Sequence, residues 1–421
     1  MPMGERTASR VVVTGIGVLS GFGAGLAAFE AGLFSGRSAI RRIEGFDTAG
    51  LACRFGAEIP GFDWQGLVRR SELHFYDRVG LLAMAAADEA LGHAGLGPDE
   101  IGPAAGAMMG TAFGPAEAIE DCVLRAASHQ RLRPTAVVRM MLNGATAALC
   151  ARYRLQRAAT AHVTACAASA HAIADAVHAI RRGEMDLCLA GGAEAFPTSA
   201  LFAAWDALAI MSPEIDPAAG IMRPFSPDRT GFVIGEAAAV LVLEREERAR
   251  SRGAPILGEI CGVGAVSDAA SLTKPTLPGM TRAMRAAIAD AGIAPEDIGH
   301  VNAHGTATEL NDALESQAIR ELFGARADDI RVSACKAAIG HCMGAGSAVE
   351  AVAAILALRR QEAPCPVDLL PPDGVPAPPG AAGGEPVRRM ETAAALSNSF
   401  AFGGHYAALA VRRVPDAVPA P

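Results

Sequence analysis

Short unbroken apolar runs alternate along this chain with longer stretches in which apolar residues recur at helical spacing. Read as strands, the runs are Arg10–Gly15 (RVVVTG, ending in the glycine-rich turn GIGVLSGFG), Ala107–Thr111, Thr160–Ala165 and Met185–Ala190, the last closing on Gly191-Gly192-Ala193-Glu194. Gly231–Glu244 reads as a pair of strands, and Ile256–Val266, Gly299–Ala303, Ile330–Ser333, Ala393–Asn398 and Tyr406–Arg412 follow. The helical pattern predicts Ala24–Leu33, Tyr76–Leu91 with Gly92 as its stop, Pro134–Leu149, a helix from Cys166 to about Arg182, Gly279–Ala291, Thr308–Phe323 and Gly346–Arg359. Ile43–Trp64 is irregular, with Phe46, Phe55 and Phe62 docking it to the core, and Phe202–Leu208 and Met222–Gly231 are loop or short helix. Such regular alternation of strand and helix argues for an α/β architecture.

The rhythm runs twice. A charged segment, Arg245–Gly253, marks the boundary, so residues 10–253 and 254–413 are read as two halves. VTACAASAHAIADAV in the first echoes VSACKAAIGHCMGAGSAVEAV in the second, each a strand, a turn and a helix. Pro371–Pro386 reads as a surface excursion, and the tail from Pro415 as mobile.

Composition narrows the classes. Half of the 421 residues are hydrophobic and only 5% aromatic, so the mean hydropathy of +0.25 comes from small residues. No apolar run reaches membrane-spanning length, and the polar N-terminus shows no signal-peptide pattern. A net charge of −8 argues against nucleic acid. The nine cysteines lack metal-site spacing, which suits a reducing cytoplasm, free thiols and no structural zinc.

Four places carry chemistry. Cys166 opens a helix, where unpaired N–H groups and the helix dipole lower a thiol's pKa toward the reactive thiolate. HGTATELND places His304 at a strand end with Asn311 and Asp312 on the next helix. CKAAIGHCMGAGSAVE supplies Lys336, His341 and Glu350, and NSFAFGG runs from Asn398 to Gly404. Each histidine lies in a Gly-bounded turn after a strand, where functional residues concentrate.

With these motifs in this order (TAC, HGTxTxxND, KxxxGHxxGA, NSFxFGG), the chain resembles the elongating, type II β-ketoacyl-acyl carrier protein synthases from Arg10 to Arg412. Met222–Glu244 also resembles a stretch typical of them. The resemblance implies a thiolase-like fold: two duplicated βαβαβαββ halves in five layers, α-β-α-β-α, in a dimer. It implies that Cys166 takes up an acyl chain from a phosphopantetheine arm, with backbone N–H groups of Cys166 and Phe402 receiving the oxyanion. Neutral His304 and His341 would then hydrogen-bond the malonyl thioester as it loses CO2, and the carbanion would attack the acyl group. No metal and no redox cofactor is implied. Lys336 and Glu350 correspond to the family's buried pair, which orders the site around His341, Asp312 to a brace for the His304 loop, and Phe402 to the gate residue. Gly403 lets the gate loop swing, Phe400 lies beside it, and Thr306 and Thr308 face the pantetheine amides.

The implied partner is an acyl carrier protein, with exposed Arg69, Arg70, Arg131 and Arg133 as candidate contacts. The second subunit is a copy of the chain or a chain-length factor. Met108, Met109, Met140 and Phe202 are candidates for the pocket floor. Departures from the family pattern include Ala307, GEAAA and GAGS, and above all Ala401 and His405-Tyr406 around the gate. They suggest a polyketide or polyene pathway rather than housekeeping fatty-acid synthesis. A non-catalytic chain-length partner is disfavoured by the presence of Cys166. A degradative thiolase is disfavoured by the histidine pair, and an initiating synthase by His341, where that class carries Asn.

Overall fold

The computed structural model describes residues 9–97, 100–214, 216, 220–371 and 385–415. Most of the Pro371–Pro386 excursion and the residues after Pro415 lie outside them. Five strands form the first half: β1 (Val11–Ser20), β2 (Ala105–Gly110), β3 (Ala159–His162), β4 (Leu187–Glu194) and β5 (Ala237–Arg245). Five form the second: β6 (Gly258–Ser267), β7 (Ile298–Asn302), β8 (Arg331–Ser333), β9 (Ala394–Phe400) and β10 (His405–Arg412). The principal helices are α1 (Arg78–His93), α2 (Gly144–Tyr153), α3 (Ala168–Arg181), α4 (Leu277–Ala291), α5 (Glu309–Phe323) and α6 (Met343–Arg360).

The two halves repeat one topology. Spatial order is β3-β2-β4-β5-β1 in the first and β8-β7-β9-β10-β6 in the second, which is third-second-fourth-fifth-first in both. In each half the second strand pairs parallel with the third and fourth, and the fifth pairs antiparallel with the fourth and first. A short antiparallel contact, Val12 with Glu259 and Val13 with Gly258, joins the sheets through their first strands.

Helices α1 and α2 cover the outer face of the first sheet, and α4 that of the second, with α5 packed against α4. Between the sheets lie α3 and α6, packed on strands of both halves. Burial follows: all but the last two residues of α6 are buried. At the crossing, the halves exchange hydrogen bonds reciprocally. Ser347 Oγ accepts from the Ala170 N–H at 2.8 Å, and Ser169 Oγ from the Ala348 N–H at 2.9 Å, with 2.7 Å between the hydroxyls.

The structure corrects several expected boundaries. The GIGVLS segment continues strand β1 instead of turning, because α1 lies directly on it. A Cβ at Gly15 would strike the Ala90 carbonyl, and one at Gly17 the Ala86 carbonyl. Gly92 does not stop α1, which runs to His93, while Gly95 takes the left-handed conformation (φ 65°). The Pro134–Leu149 helix is broken into Ala136–Arg139 and α2. Of the paired strands expected over Gly231–Glu244, only β5 is regular, since Phe232 and Ile234 make single bridges to Met211 and His341.

Candidate active site

Strand β3 ends four residues before Cys166. Ala165 then adopts a left-handed conformation (φ 49°), which costs a residue bearing a Cβ about 1–2 kcal/mol. A 3-10 turn, Ala165–Ala167, carries Cys166 to the brink of α3 rather than into its first α-turn. The thiol borders the cavity but is otherwise enclosed by protein. Burial raises its pKa to about 11, against an opposing pull from Lys336. The expected lowering therefore does not hold in the resting structure, because desolvation outweighs the helix end.

The second half supplies both imidazoles. His304 follows β7, and its loop is tied down by Glu315 of α5, whose two oxygens accept from the N–H groups of His304 (2.8 Å) and Gly305 (2.9 Å). Asn398 Nδ2 donates to the same carboxylate at 3.1 Å. Asp312, expected to brace this loop, instead accepts from the Phe225 N–H at 2.7 Å. It sits a turn earlier on α5, opposite another segment.

His341 is set by backbone pairing: its N–H donates to the Val233 carbonyl at 2.6 Å, and the Gly235 N–H to its own carbonyl at 3.0 Å. Its Nδ1 accepts from the Met343 N–H at 3.3 Å, which leaves the proton on Nε2, and Nε2 lies 3.2 Å from Cys166 Sγ. Lys336, expected with Glu350 to order the site around His341, holds His304 instead: its Nζ approaches His304 Nδ1 at 3.3 Å and donates to the His304 carbonyl and Glu350 Oε1, both at 2.5 Å. An ammonium offers only donors, so His304 too carries its proton on Nε2. The imidazole centroids are 5.6 Å apart and nearly perpendicular. Burial, then the Lys336 charge, hold both well below the usual histidine pKa, so both are neutral donors. Burial lifts the Glu350 carboxyl to about 7, against Lys336.

These groups face a cavity of about 320 Å³. Cys166, His304, His341, Thr306, Thr308, Phe400 and Phe402 line it, with Trp205 and Phe232. Thr306 and Thr308 hydroxyls bond each other at 2.8 Å. Phe402 opens a 3-10 turn between β9 and β10, followed by left-handed Gly403 (φ 79°), whose N–H donates to the Leu272 carbonyl at 2.8 Å. Met108, Met109, Met140 and Phe202 do not line this cavity. Arg69, Arg70, Arg131 and Arg133 are exposed, and Arg70 and Arg133 share a separate cleft with Trp64, His74 and Arg139.

Sequence reading missed Glu315, Trp205 and Glu194. Glu194 ends β4 fully buried and accepts from Thr111 Oγ1 (2.9 Å), the Phe113 N–H (3.1 Å) and, across the halves, the Gly344 N–H (3.0 Å). For the two carboxylates the available signal was an acidic residue where the apolar pattern demands burial.

Residues 8–249 match the beta-ketoacyl synthase N-terminal domain and residues 257–369 the C-terminal domain. Nodulation protein E of Rhizobium sp. (strain N33) is 38% identical, over 96% of this chain and 99% of the relative. The 3-oxoacyl-[acyl-carrier-protein] synthase 2 of Synechocystis sp. is 35% identical, over 96% and 98%. Among solved structures, the ishigamide ketosynthase/chain length factor superposes with a TM-score of 0.87 at 33% identity, covering 97% of this chain and 100% of that one.

Proposed function

This chain belongs to the β-ketoacyl synthase family, with its thiolase-like fold, and we propose that it performs a decarboxylative condensation in which Cys166, His304 and His341 are the catalytic residues. The observation that carries the reading is the approach of His341 Nε2 to Cys166 Sγ at 3.2 Å, with a second neutral imidazole beside it.

In the first step the Cys166 sulfur attacks the carbonyl of an acyl thioester borne by an acyl carrier protein. The thiol proton passes to the departing pantetheine sulfur, so an acyl-enzyme and a free carrier thiol result. The N-terminus of α3 and the backbone N–H groups of Cys166 and Phe402 receive the negative charge that develops. In the second step a malonyl thioester occupies the cavity. Its C–C bond to the carboxylate breaks, CO2 leaves, and the electron pair moves toward the thioester oxygen, which accepts from Nε2 of both histidines. The carbanion attacks the acyl carbonyl, the Cys166 sulfur leaves and is reprotonated, and a β-ketoacyl thioester two carbons longer is released. Neutral imidazoles suit this role, because each donates one hydrogen bond without needing to give up a proton. Lys336 acts as a positioning residue, holding His304 through Nδ1 and the carbonyl. Thr306 and Thr308 line the cavity where the pantetheine amides would lie, beside Phe400, and Gly403 gives the Phe402 turn its freedom to swing.

The acyl carrier protein is acidic, and Arg69, Arg70, Arg131 and Arg133 offer it an exposed basic face. A second subunit is supported by exposed apolar side chains at Val123, Leu124, Val137, Val138 and Met141, together with Val163 just beyond the edge strand β3. That subunit is a copy of this chain or a chain-length factor. Among the described residues no helix is long and apolar enough to cross a membrane. We place the chain in the cytoplasm and, from Ala401 and His405-Tyr406 around the gate, in a polyketide or polyene pathway.

The test is intact-protein mass after incubation with a panel of acyl-carrier proteins, wild type beside Cys166→Ala. A mass gain equal to the acyl group in the wild type alone is expected. No adduct from any donor would refute a self-sufficient synthase.

A further inference from the structure

The cavity onto which Cys166 opens has an aromatic wall. Trp205 lines the cavity with Cys166, Phe232 and Phe402. Its indole stacks on Phe402 at 6.0 Å between centroids and meets Phe113 edge-on at 5.8 Å and Phe232 edge-on at 5.6 Å. Phe232 in turn stands edge-on to His341 at 5.4 Å. The rings thus form an unbroken chain from a catalytic imidazole to the gate.

The wall is anchored. Trp205 belongs to the helix Ser199–Asp206, which is tied at both ends. Thr198 Oγ1 accepts from the Leu201 N–H at 3.4 Å, and Asp206 accepts from the N–H groups of Ala52 and Cys53, each at 2.9 Å. Phe113 is held through its backbone by the buried Glu194. The same apolar cluster continues into the buried side chains of Phe202, Met211, Ile221 and Met222. An extended chain passing this wall must displace Trp205 from three ring contacts. The resting cavity, about 320 Å³, must also admit the end of the pantetheine arm.

We propose that Trp205, braced by Phe113 and Phe232, ends the acyl pocket and restricts this synthase to short acyl chains on Cys166. The inference rests on the condensing reading above and adds its substrate class.

The experiment is a competition among acyl-carrier proteins bearing saturated chains from acetyl to palmitoyl, read as the mass distribution of adducts on Cys166. Melting curves verify folding of each variant. Wild type should favour the short chains over the longest by about tenfold or more, the scale on which an apolar pocket discriminates. Trp205→Ala should shift the distribution toward long chains by a similar factor, and Trp205→Phe by much less. If Trp205→Ala does not fold, Phe113→Ala, which removes only a brace, should shift the distribution the same way. Equal loading of short and long chains by wild type would overturn the inference. So would an unchanged short-chain preference in a folded Trp205→Ala or Phe113→Ala variant. Absence of every adduct would overturn the synthase reading itself, a result distinct from a normal adduct with the wrong length profile.

Discussion

The two halves share strand order, pairing and a buried central helix, yet the turns that follow their third strands hold opposite chemistry. After β3 the chain presents Cys166, whose thiol looks into the cavity. After β8 it presents Lys336, which points away from substrate and spends its three protons on His304 and Glu350. Duplication thus supplied two similar frames. One became the seat of a nucleophile, the other of a fixed charge that orders the imidazoles. Burial decides both outcomes, keeping Cys166 a thiol and the histidines neutral.

The sharpest way to break this contrast is at Lys336. Lys336→Met leaves the Glu350 carboxylate buried without its partner, which should cost about 3–5 kcal/mol of stability. Lys336→Met with Glu350→Leu should recover most of the melting temperature but not malonyl decarboxylation, because His304 stays unhooked. Recovery of both would reduce the lysine to a structural filler.

His304→Ala separates the halves functionally. Removing one of two donors should slow decarboxylation about 10²–10³-fold. Self-acylation of Cys166, followed by mass, should persist. Equal loss of both steps would show that the second half serves the nucleophile as well.

Acidity sharpens the contrast more gently. The thiol with a pKa of about 11 predicts an acylation rate that climbs with pH across the neutral range. The histidines should leave decarboxylation flat there, since they are already neutral. Stability carries the opposite limb. Histidines whose folded pKa is depressed take up protons only on unfolding, so stability is retained above the unfolded value of about 6.5 and falls as pH drops below it. Glu350 and Glu315, lifted to about 7, bind protons in the folded state over the same range and oppose this limb, so the test is a comparison with His304→Ala: an unchanged pH dependence of the melting temperature in that variant would contradict the buried neutral state.

The smallest expected effect lies where the two halves exchange hydrogen bonds. Ser347→Ala orphans the Ala170 amide in the first turn of α3 and should cost about 1–3 kcal/mol, whereas Ser169→Ala leaves the Ala348 amide its bond within α6 and should cost less. Equal losses in denaturant melts would show that position within the helix does not decide the cost.

Much of this was legible in the chain. Apolar runs and helical spacing located most strands and helices, and the motifs named the residues that meet at the cavity. What escaped depends on distant neighbours. Nothing local distinguishes Gly15 and Gly17 of a turn from glycines that let α1 lie on a strand. Nor does the chain reveal that a thiol beside a helix start is enclosed enough for desolvation to prevail. Glu315 and Glu194 are ordinary carboxylates until the fold wraps backbone amides around them, and Trp205 is an ordinary aromatic until three rings close on it.

One consequence of the enclosed thiol concerns damage rather than turnover. Burial holds the Cys166 sulfur as the thiol at neutral pH. Peroxide and alkylating agents attack the ionised form, and oxidation follows ionisation and exposure. Alkylation of Cys166 in the resting enzyme should therefore be slow at neutral pH and quicken as pH rises.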